Sequence, residues 1–580
     1  MEVRPRRTWG GSRRPGAAAP TPLGVDLLLG LAVAALLAGA AGFAHEWRQP
    51  YRAAVSIDLS PWALPRYTLL SLARGLVAYL LSLSFSLVYG WWAAKDRRAE
   101  RVLLPLLDVL QSIPVLGFMP GLVLALVALF PRSNVGLELA AILMIFTGQA
   151  WNLAFSFHGS LCAIPPELNE VTRLYRFDWL ERLRWLELPF ATTGLVWNSM
   201  MSMAGGWFFL MISEAFVLGD RDFRLPGLGS YMSVAVAQGN VGAMLGAVVA
   251  MTLMIVALDR LLWRPLVVWA QRFRVEEGGA AEEAHSLVLD ALRRSRLLEA
   301  LRGALTRRRG PRRAGSPPPE PQPGSGETLS RLGSVGATVL LAVLAGALAL
   351  GAWRLAMLLA PVSLREWGGI VLRGVATLAR VLAAVATGTL WALPAGLAIG
   401  LSPRLAGRLQ PLVQVVASFP APMLFPLVVA FLHAAGVSLG WGSIALMLLG
   451  TQWYILFNVV AGATAMPADL REAARSYRLP LRDRLRVLYV PAVFPYLVTG
   501  WVTAAGGAWN ASIVSEAVSF RGETLSTFGL GARISDAAAR ADFSELAASV
   551  VVMAVIVVLF NRMVWRRLQR TASTRFSLAK

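Results

Sequence analysis

Apolar runs long enough to cross a bilayer constrain this chain more than any other feature. They lie near 23–44, 68–94, 104–130, 137–160, 189–218 and 241–268, and again near 334–358, 374–400, 411–433, 438–463, 491–519 and 544–568. About 20 apolar residues suffice to carry a helix through the hydrocarbon core, where the backbone must satisfy its own hydrogen bonds. The expected fold class is therefore all-α integral membrane, with about 12 transmembrane helices in two groups of six. Only 15% of the 580 residues are charged and 56% are hydrophobic, which excludes an ordinary soluble domain.

The two groups are copies of one another. Arg74, Pro105, Ser112, Pro114 and Pro120 recur as Arg380, Pro411, Ser418, Pro420 and Pro426, each 306 residues later. Gly148, Trp151, Pro165, Glu170, Arg173, Arg182, Pro189, Gly205, Trp207, Ser213, Glu214, Gly227, Gly229, Arg260 and Trp263 find identical residues 302 later. Such a period marks a direct repeat, with one change of register in the loop between the third and fourth runs. The expected organisation is a first repeat over 1–273, a linker over 274–333 and a second repeat over 334–580. The linker ends in "GSPPPEPQPGSGE", which cannot bury a core. Residues 284–309 within it read as a solvated helix, with an amphipathic helix on the membrane surface as the alternative.

The formal net charge of +21 comes from arginines gathered between apolar runs and at the chain ends. That distribution follows the positive-inside rule and leaves no reason to expect a nucleic-acid partner. It puts both termini, "KDRRAER" at 95–101 and the segments 165–188 and 467–490 on the cytoplasmic side. The basic start followed by a run at 23–44 resembles a signal peptide, but the run is long enough to span and reads as a retained helix. One cysteine, Cys162, and four scattered histidines, His45, His158, His285 and His433, supply neither a disulfide framework nor a closed zinc site, so no metal is expected. The only lysines are Lys95 and Lys580, so no Gly-Lys-Ser/Thr phosphate loop exists and the chain is not itself expected to hydrolyse ATP.

Both cytoplasmic segments carry a Glu followed 19 residues later by a Pro at the mouth of the next run: Glu170 to Pro189 in "LNEVTRLYRFDWLERLRWLELP" and Glu472 to Pro491 in "LREAARSYRLPLRDRLRVLYVP". The second copy, Glu472-Ala473-Ala474 with Leu488, Val490 and Pro491, resembles the EAA loop of ABC importer permeases. "GGWFFLMISEAF" (205–216) and "GGAWNASIVSEAV" (506–518), each followed by Gly-Leu-Gly, resemble the nitrate, sulfonate, taurine and bicarbonate branch of that family in its duplicated form, as do "DRLLWRPL" and "NRMVWRRL". The resemblance covers nearly the whole chain. It implies two fused six-helix repeats with cytoplasmic coupling helices, in a bacterial inner membrane. It implies two ABC ATPase subunits or domains that bind the ATP and Mg, with no cofactor in this chain, and a periplasmic or lipid-anchored binding protein that delivers a small anion. The coupling residues it implies are Glu170, Arg173, Tyr175, Arg176, Glu472, Ala473, Ala474, Arg475, Tyr477 and Arg478. The family usually carries Gly six residues after the Glu, where this chain has Arg176 and Arg478; Gly there permits a tight turn.

Candidates for the translocation path are the polar, small and aromatic residues inside the apolar runs. In the first repeat these are Ser112, Gln149, Trp151, Asn152, Gly205, Trp207, Ser213 and Glu214. In the second they are Ser418, Gln452, Trp453, Gly507, Trp509, Asn510, Ser515 and Glu516. Trp207 and Trp509 lie 18 residues past the cytoplasmic prolines, about 27 Å along a helix and so near or beyond mid-membrane. Pro114 and Pro420 are expected to break the third and ninth runs beside Ser112 and Ser418, freeing backbone groups. A carboxylate inside a span costs about 2.5–3.5 kcal/mol on insertion scales, which calls for a partner. Arg74 with Glu214 and Arg380 with Glu516 are the expected inter-helix ties; the alternative is that each snorkels to the interface. The rival for the whole chain is a gradient-driven twelve-span carrier of the major facilitator type, also built from six-span repeats. A membrane scaffold explains the spans but not the matched polar residues.

Overall fold

The computed structural model describes residues 55–112, 114–218, 221–273, 349–520 and 523–576, together with 42, 44–47, 343 and 346. The linker, nearly all of the expected span at 23–44 and much of that at 334–358 lie outside the described residues. In the first half the chain runs α1 (Leu64–Lys95), α2 (Arg97–Ser112), α3 (Val115–Leu129), α4 (Val135–Cys162), α5 (Pro166–Leu174) and α6 (Trp179–Ser213), then a hairpin of β1 (Ala215–Leu218) and β2 (Arg221–Arg224), then α7 (Leu228–Ala237) and α8 (Val241–Phe273). A helix α9 (Ala349–Leu359) precedes the second half. That half runs α10 (Leu364–Leu401), α11 (Pro403–Ala417), α12 (Ala421–Ala434), α13 (Leu439–Thr464), α14 (Ala468–Ser476), α15 (Leu481–Ser515), β3 (Ala517–Phe520), β4 (Glu523–Ser526), α16 (Leu530–Ala539) and α17 (Phe543–Arg575).

Eight helices among the described residues are long and apolar enough to cross a membrane: α1, α4, α6, α8, α10, α13, α15 and α17. The expected third and ninth spans are not single helices. α2 ends at Ser112 and α3 begins at Val115, and a second break falls at 418–420 between α11 and α12, where Arg404–Ala417 and Ala421–Ala434 meet at 84°. If that bent pair counts as one span, the number rises to nine. Pro114 and Pro420 sit at the N-caps of the second pieces in extended conformation, because a proline cannot donate the amide hydrogen bond an uninterrupted helix needs.

The fifth and eleventh spans also end earlier than their apolar runs. The runs reach 218 and 519, but the helices stop at Ser213 and Ser515 and the chain turns into antiparallel hairpins, with Ala215 opposite Arg224 and Ala517 opposite Ser526. Phe216 and Phe223 stack across the first hairpin at 5.1 Å, the cross-strand aromatic pairing that stabilises short ribbons. Glu214 and Glu516 are the C-cap residues at which helix becomes hairpin.

Each half is built round three helices: α4 packs on both α1 and α6, and α13 on both α10 and α15. Close approach is set by small residues. A Cβ on Gly396 would meet Val459 Cγ1 at 2.7 Å, and one on Gly400 would meet Ala463 Cβ at 2.6 Å, so this Gly-x-x-x-Gly face lets α10 lie against α13. The halves join crosswise: α12 of the second lies on α6 of the first, and α3 of the first lies on α15 and α17 of the second. Arg566 bonds Asp108 across the same seam at 2.6 Å.

Candidate functional site

At one end of the bundle each half exposes a nine-residue helix, α5 or α14. Each follows an extended proline, Pro165 or Pro467, and each ends in a left-handed residue, Arg176 at φ 50° and Arg478 at φ 49°. The turn is closed by two backbone bonds in each copy. Phe177 N donates to Thr172 O at 2.9 Å and Arg176 N to Arg173 O at 3.0 Å; Leu479 N donates to Ala474 O at 3.1 Å and Arg478 N to Arg475 O at 2.9 Å. This Schellman arrangement is the one a glycine favours. The tight turn therefore forms without the glycine, at a cost for a residue with a Cβ of about 1–2 kcal/mol.

The two helices turn matching faces outward. Thr172 and its counterpart Ala474 are buried, whereas Glu170, Arg173, Tyr175 and Arg176, and Glu472, Ala473, Arg475, Tyr477 and Arg478, are exposed. Leu174, Tyr175 and Tyr477 are 81%, 74% and 81% exposed, which gives each tip a bare apolar surface among charges. Downstream, α6 opens with a capping box from Asp178 and Glu181 and passes through a π turn at Leu183–Glu187; α15 has a π turn at the same place, Arg484–Tyr489. In the first half the buried Glu187 in that turn ties α6 to α1. It accepts from Trp91 Nε1 at 3.2 Å, pairs with Lys95 and lies 2.9 Å from Arg182 Nε. The positions matching Trp91, Lys95 and Glu187 in the second half are Leu397, Leu401 and Tyr489, so the clamp is absent there.

At the other end, each glutamate that closes α6 or α15 is held by the same three donors. Ser71 Oγ donates to Glu214 at 2.6 Å, Gly229 N donates to its other oxygen at 2.7 Å, and Arg74 is ion-paired with it. Thr377 Oγ1 donates to Glu516 at 2.9 Å, Gly531 N at 2.8 Å and Arg380 Nη1 at 2.9 Å. The same hydroxyls accept the amides of Leu228 and Leu530. A Cβ on Gly227 or Gly529 would collide with the carboxylate itself, which is why Gly-Leu-Gly follows each hairpin. Arg74 differs from Arg380 in having a second carboxylate: Glu138 takes its Nε and Nη2 at 2.7 Å each, and all three side chains are wholly buried. Arg380 instead uses the carbonyls of Gly440 and Phe528 and the Thr527 hydroxyl, with 15% of its side chain exposed. Sequence reasoning missed Glu138, Ser71 and Thr377. The hydroxyls stand 306 apart, a usable signal; Glu138 faces Gly440 in the repeat and leaves no trace there.

The remaining path candidates divide between packing and the seam. Gln149 is wholly buried and bonds Ser82 Oγ at 3.3 Å, while Asn152 Nδ2 donates to Ser202 Oγ at 3.3 Å. Trp151 has a buried indole N–H with no protein partner. Gln452 accepts from Trp391 Nε1 at 3.0 Å and Trp453 Nε1 bonds its own helix at Leu449 O, 3.1 Å. Ser213 bonds Leu210 O at 3.2 Å, and the buried Ser515 hydroxyl has no partner. Trp207 lies against Gly75 and shares with Ser418 a cavity of about 10 Å³ at the seam, room for about one water. Ser418 Oγ bonds Gln414 O at 2.8 Å; the side chain of Ser112 lies outside the described atoms. Trp509 is buried in the core.

Two side chains cross or line the seam itself. Asn510 Oδ1 accepts the Val115 amide at 2.8 Å, taking up a backbone donor freed by the break at Pro114. Tyr454 reaches between the two Gly candidates, its hydroxyl 3.7 Å from a Cβ position on Gly205 and its ring 3.4 Å from one on Gly507. Tyr454 was not expected, since its counterpart is Asn152 and no repeated residue marks it.

The duplicated bundle with its exposed helix pair is matched by one family in both halves. Residues 86–262 and 388–566 match the binding-protein-dependent transport system inner membrane components, and the chain belongs to that family as a multi-pass membrane protein. Among curated proteins it is similar to the nitrate import permease protein NrtB of Leptolyngbya laminosa, 27% identical over 31% of this chain and 62% of that one. It is also similar to the glycine betaine transport system permease protein OpuAB of Bacillus subtilis, 26% identical over 33% of this chain and 62% of that one. The taurine transport system permease protein TauC of Escherichia coli is 26% identical over 32% of this chain and 64% of its own length. A nitrate permease of Synechococcus elongatus is matched over only 41% of its length, so the chain spans about two fifths to two thirds of these relatives. Family membership in both halves supports the ABC permease and leaves the major facilitator alternative without support.

Proposed function

We propose that this chain is the translocation subunit of an ATP-driven importer, with both membrane halves of the path fused in one polypeptide. The carrying observation is the pair of exposed helices α5 and α14, matched in length, left-handed end and outward residues. A short helix joining two spans is a lever, so a partner that moves it moves the path. On this reading two ATPase subunits or domains seat these helices on the cytoplasmic side, where both termini also lie, and hold the ATP and Mg; the chain itself is not an enzyme. A periplasmic or lipid-anchored binding protein presents the solute at the opposite end, beside the hairpins. The solute is a small anion of the nitrate, bicarbonate, sulfonate or taurine class, and the path follows the seam between Gly205, Tyr454 and Gly507, with Trp207, Ser418 and Asn510 beside it. Arg74 and Arg380 tie the outer ends of the spans through Glu214 and Glu516 rather than meeting the cargo. The expected division into 1–273, 274–333 and 334–580 stands as part of this proposal.

The test is ATP hydrolysis by the chain assembled with its ATPase in liposomes, with and without binding protein, across nitrate, bicarbonate, taurine and alkylsulfonates. Stimulation by one of these anions supports the reading. Hydrolysis indifferent to all of them removes the anion class.

A further inference from the structure

An amphipathic cavity of about 470 Å³ opens where α15 begins and α17 ends, at the end of the bundle that carries α5 and α14. Its floor is Leu485, Val490, Phe494 and Phe576, with the two Phe rings 4.9 Å apart, and its rim is Arg482 and Arg486. The arginines are one helical turn apart, so both guanidinium groups can reach one ligand. Both are exposed, and neither has an ion pair or side-chain hydrogen bond among the described residues; no carboxylate lines the cavity there. Pro491 in its wall marks the mouth of the span, which places the cavity where the acyl region gives way to headgroups.

An apolar floor with an unpaired cationic rim suits an amphiphile with an anionic head. A small inorganic anion leaves the aromatic floor empty, and a neutral lipid leaves the arginines unanswered. We propose that this cavity binds an anionic phospholipid, its headgroup phosphate between Arg482 and Arg486 and the top of one acyl chain against Phe494 and Phe576. The site belongs to one half only. The positions matching Arg482 and Phe494 are Leu180 and Thr192, which remove one cation and part of the floor. A lipid held there contacts the segment joining α14 to its span, and so reports the composition of the membrane to one of the two levers.

The test uses the assembled complex in liposomes doped with photoactivatable phospholipids that differ only in headgroup, phosphatidylglycerol or phosphatidylcholine, with labelled peptides mapped by mass spectrometry. The phosphatidylglycerol probe is expected to label residues 481–494 or the segment around Phe576 preferentially, and Arg482→Gln with Arg486→Gln to lower that labelling about tenfold. Labelling elsewhere on the same variant is the control for folding. Introducing Leu180→Arg with Thr192→Phe is expected to raise labelling in the first half. Equal labelling by both headgroups, labelling unchanged in the double Gln variant, loss of labelling to excess glycerol phosphate, or labelling seen only after the ATPase is stripped away would each overturn the proposal; the last would make the cavity part of the ATPase interface.

Discussion

Arg74 and Arg380 occupy the same place in two copies of one scaffold, yet one sits between two buried carboxylates and the other faces one carboxylate and three neutral oxygens. What the copies share is the part that closes the chain: a hydroxyl on α1 or α10, a carboxylate at the end of α6 or α15, and a glycine amide after the hairpin. What they do not share is position 138 against 440, where a side chain in one half is replaced by a backbone carbonyl in the other. The scaffold needs the guanidinium fully bonded, and any oxygen in reach serves. The clamp at Glu187 shows the same pattern at the opposite end, present in one copy and replaced by Leu397, Leu401 and Tyr489 in the other.

This contrast predicts graded effects. Arg74→Met strands two buried carboxylates and should cost about 3–5 kcal/mol, read as loss of folded yield or a lowered unfolding temperature in detergent. Arg380→Met should cost about half as much, because it strands one carboxylate rather than two and Arg380 is already 15% exposed; equal losses would erase the distinction between the halves. Glu138→Gly strips two bonds from a buried guanidinium and is expected to cost about 1–3 kcal/mol. A Cβ at Gly440 meets Thr527 Oγ1 at 3.4 Å and Ser438 Oγ at 3.8 Å, ordinary contacts, so Gly440→Ala should cost less than about 1 kcal/mol. At the other end, Glu187→Gln is expected to lower solute moved per ATP hydrolysed in reconstituted complex, while Tyr489→Phe leaves it unchanged. A matching fall in both would mean that the clamp has no part in the asymmetry.

The smallest effects concern left-handed turns. Gly239 at φ 64° has Ala541 at φ 54° as its counterpart, so Ala541→Gly should stabilise and Gly239→Ala destabilise, each by about 1 kcal/mol. Arg176→Gly and Arg478→Gly should stabilise by a similar amount on the same unfolding scale.

Much of the architecture was legible because polar residues in apolar runs are few and these recur at a fixed spacing. Glu170 and Glu472, the breaks at Pro114 and Pro420 and the neighbourhood of Glu214 and Glu516 all announce themselves this way. The hairpins did not, because "AFVL" and "AVSF" extend an apolar run without a break and hydropathy alone does not separate the end of a span from a short buried strand. Nor did Tyr454, Glu138 or the bond from Val115 to Asn510, since each joins residues that the repeat does not pair. A repeat reveals what two halves have in common. The seam is made by what they do not.

The account stands on both exposed helices engaging an ATPase at once, and site-directed disulfide formation tests this most directly. With Cys162 changed to Ser, cysteines placed at Glu170 or at Glu472 should each cross-link to ATPase carrying single cysteines, in complexes of one chain with two ATPase copies or domains. Cross-linking from only one position, or from neither in a complex that still hydrolyses ATP on addition of solute, would contradict it.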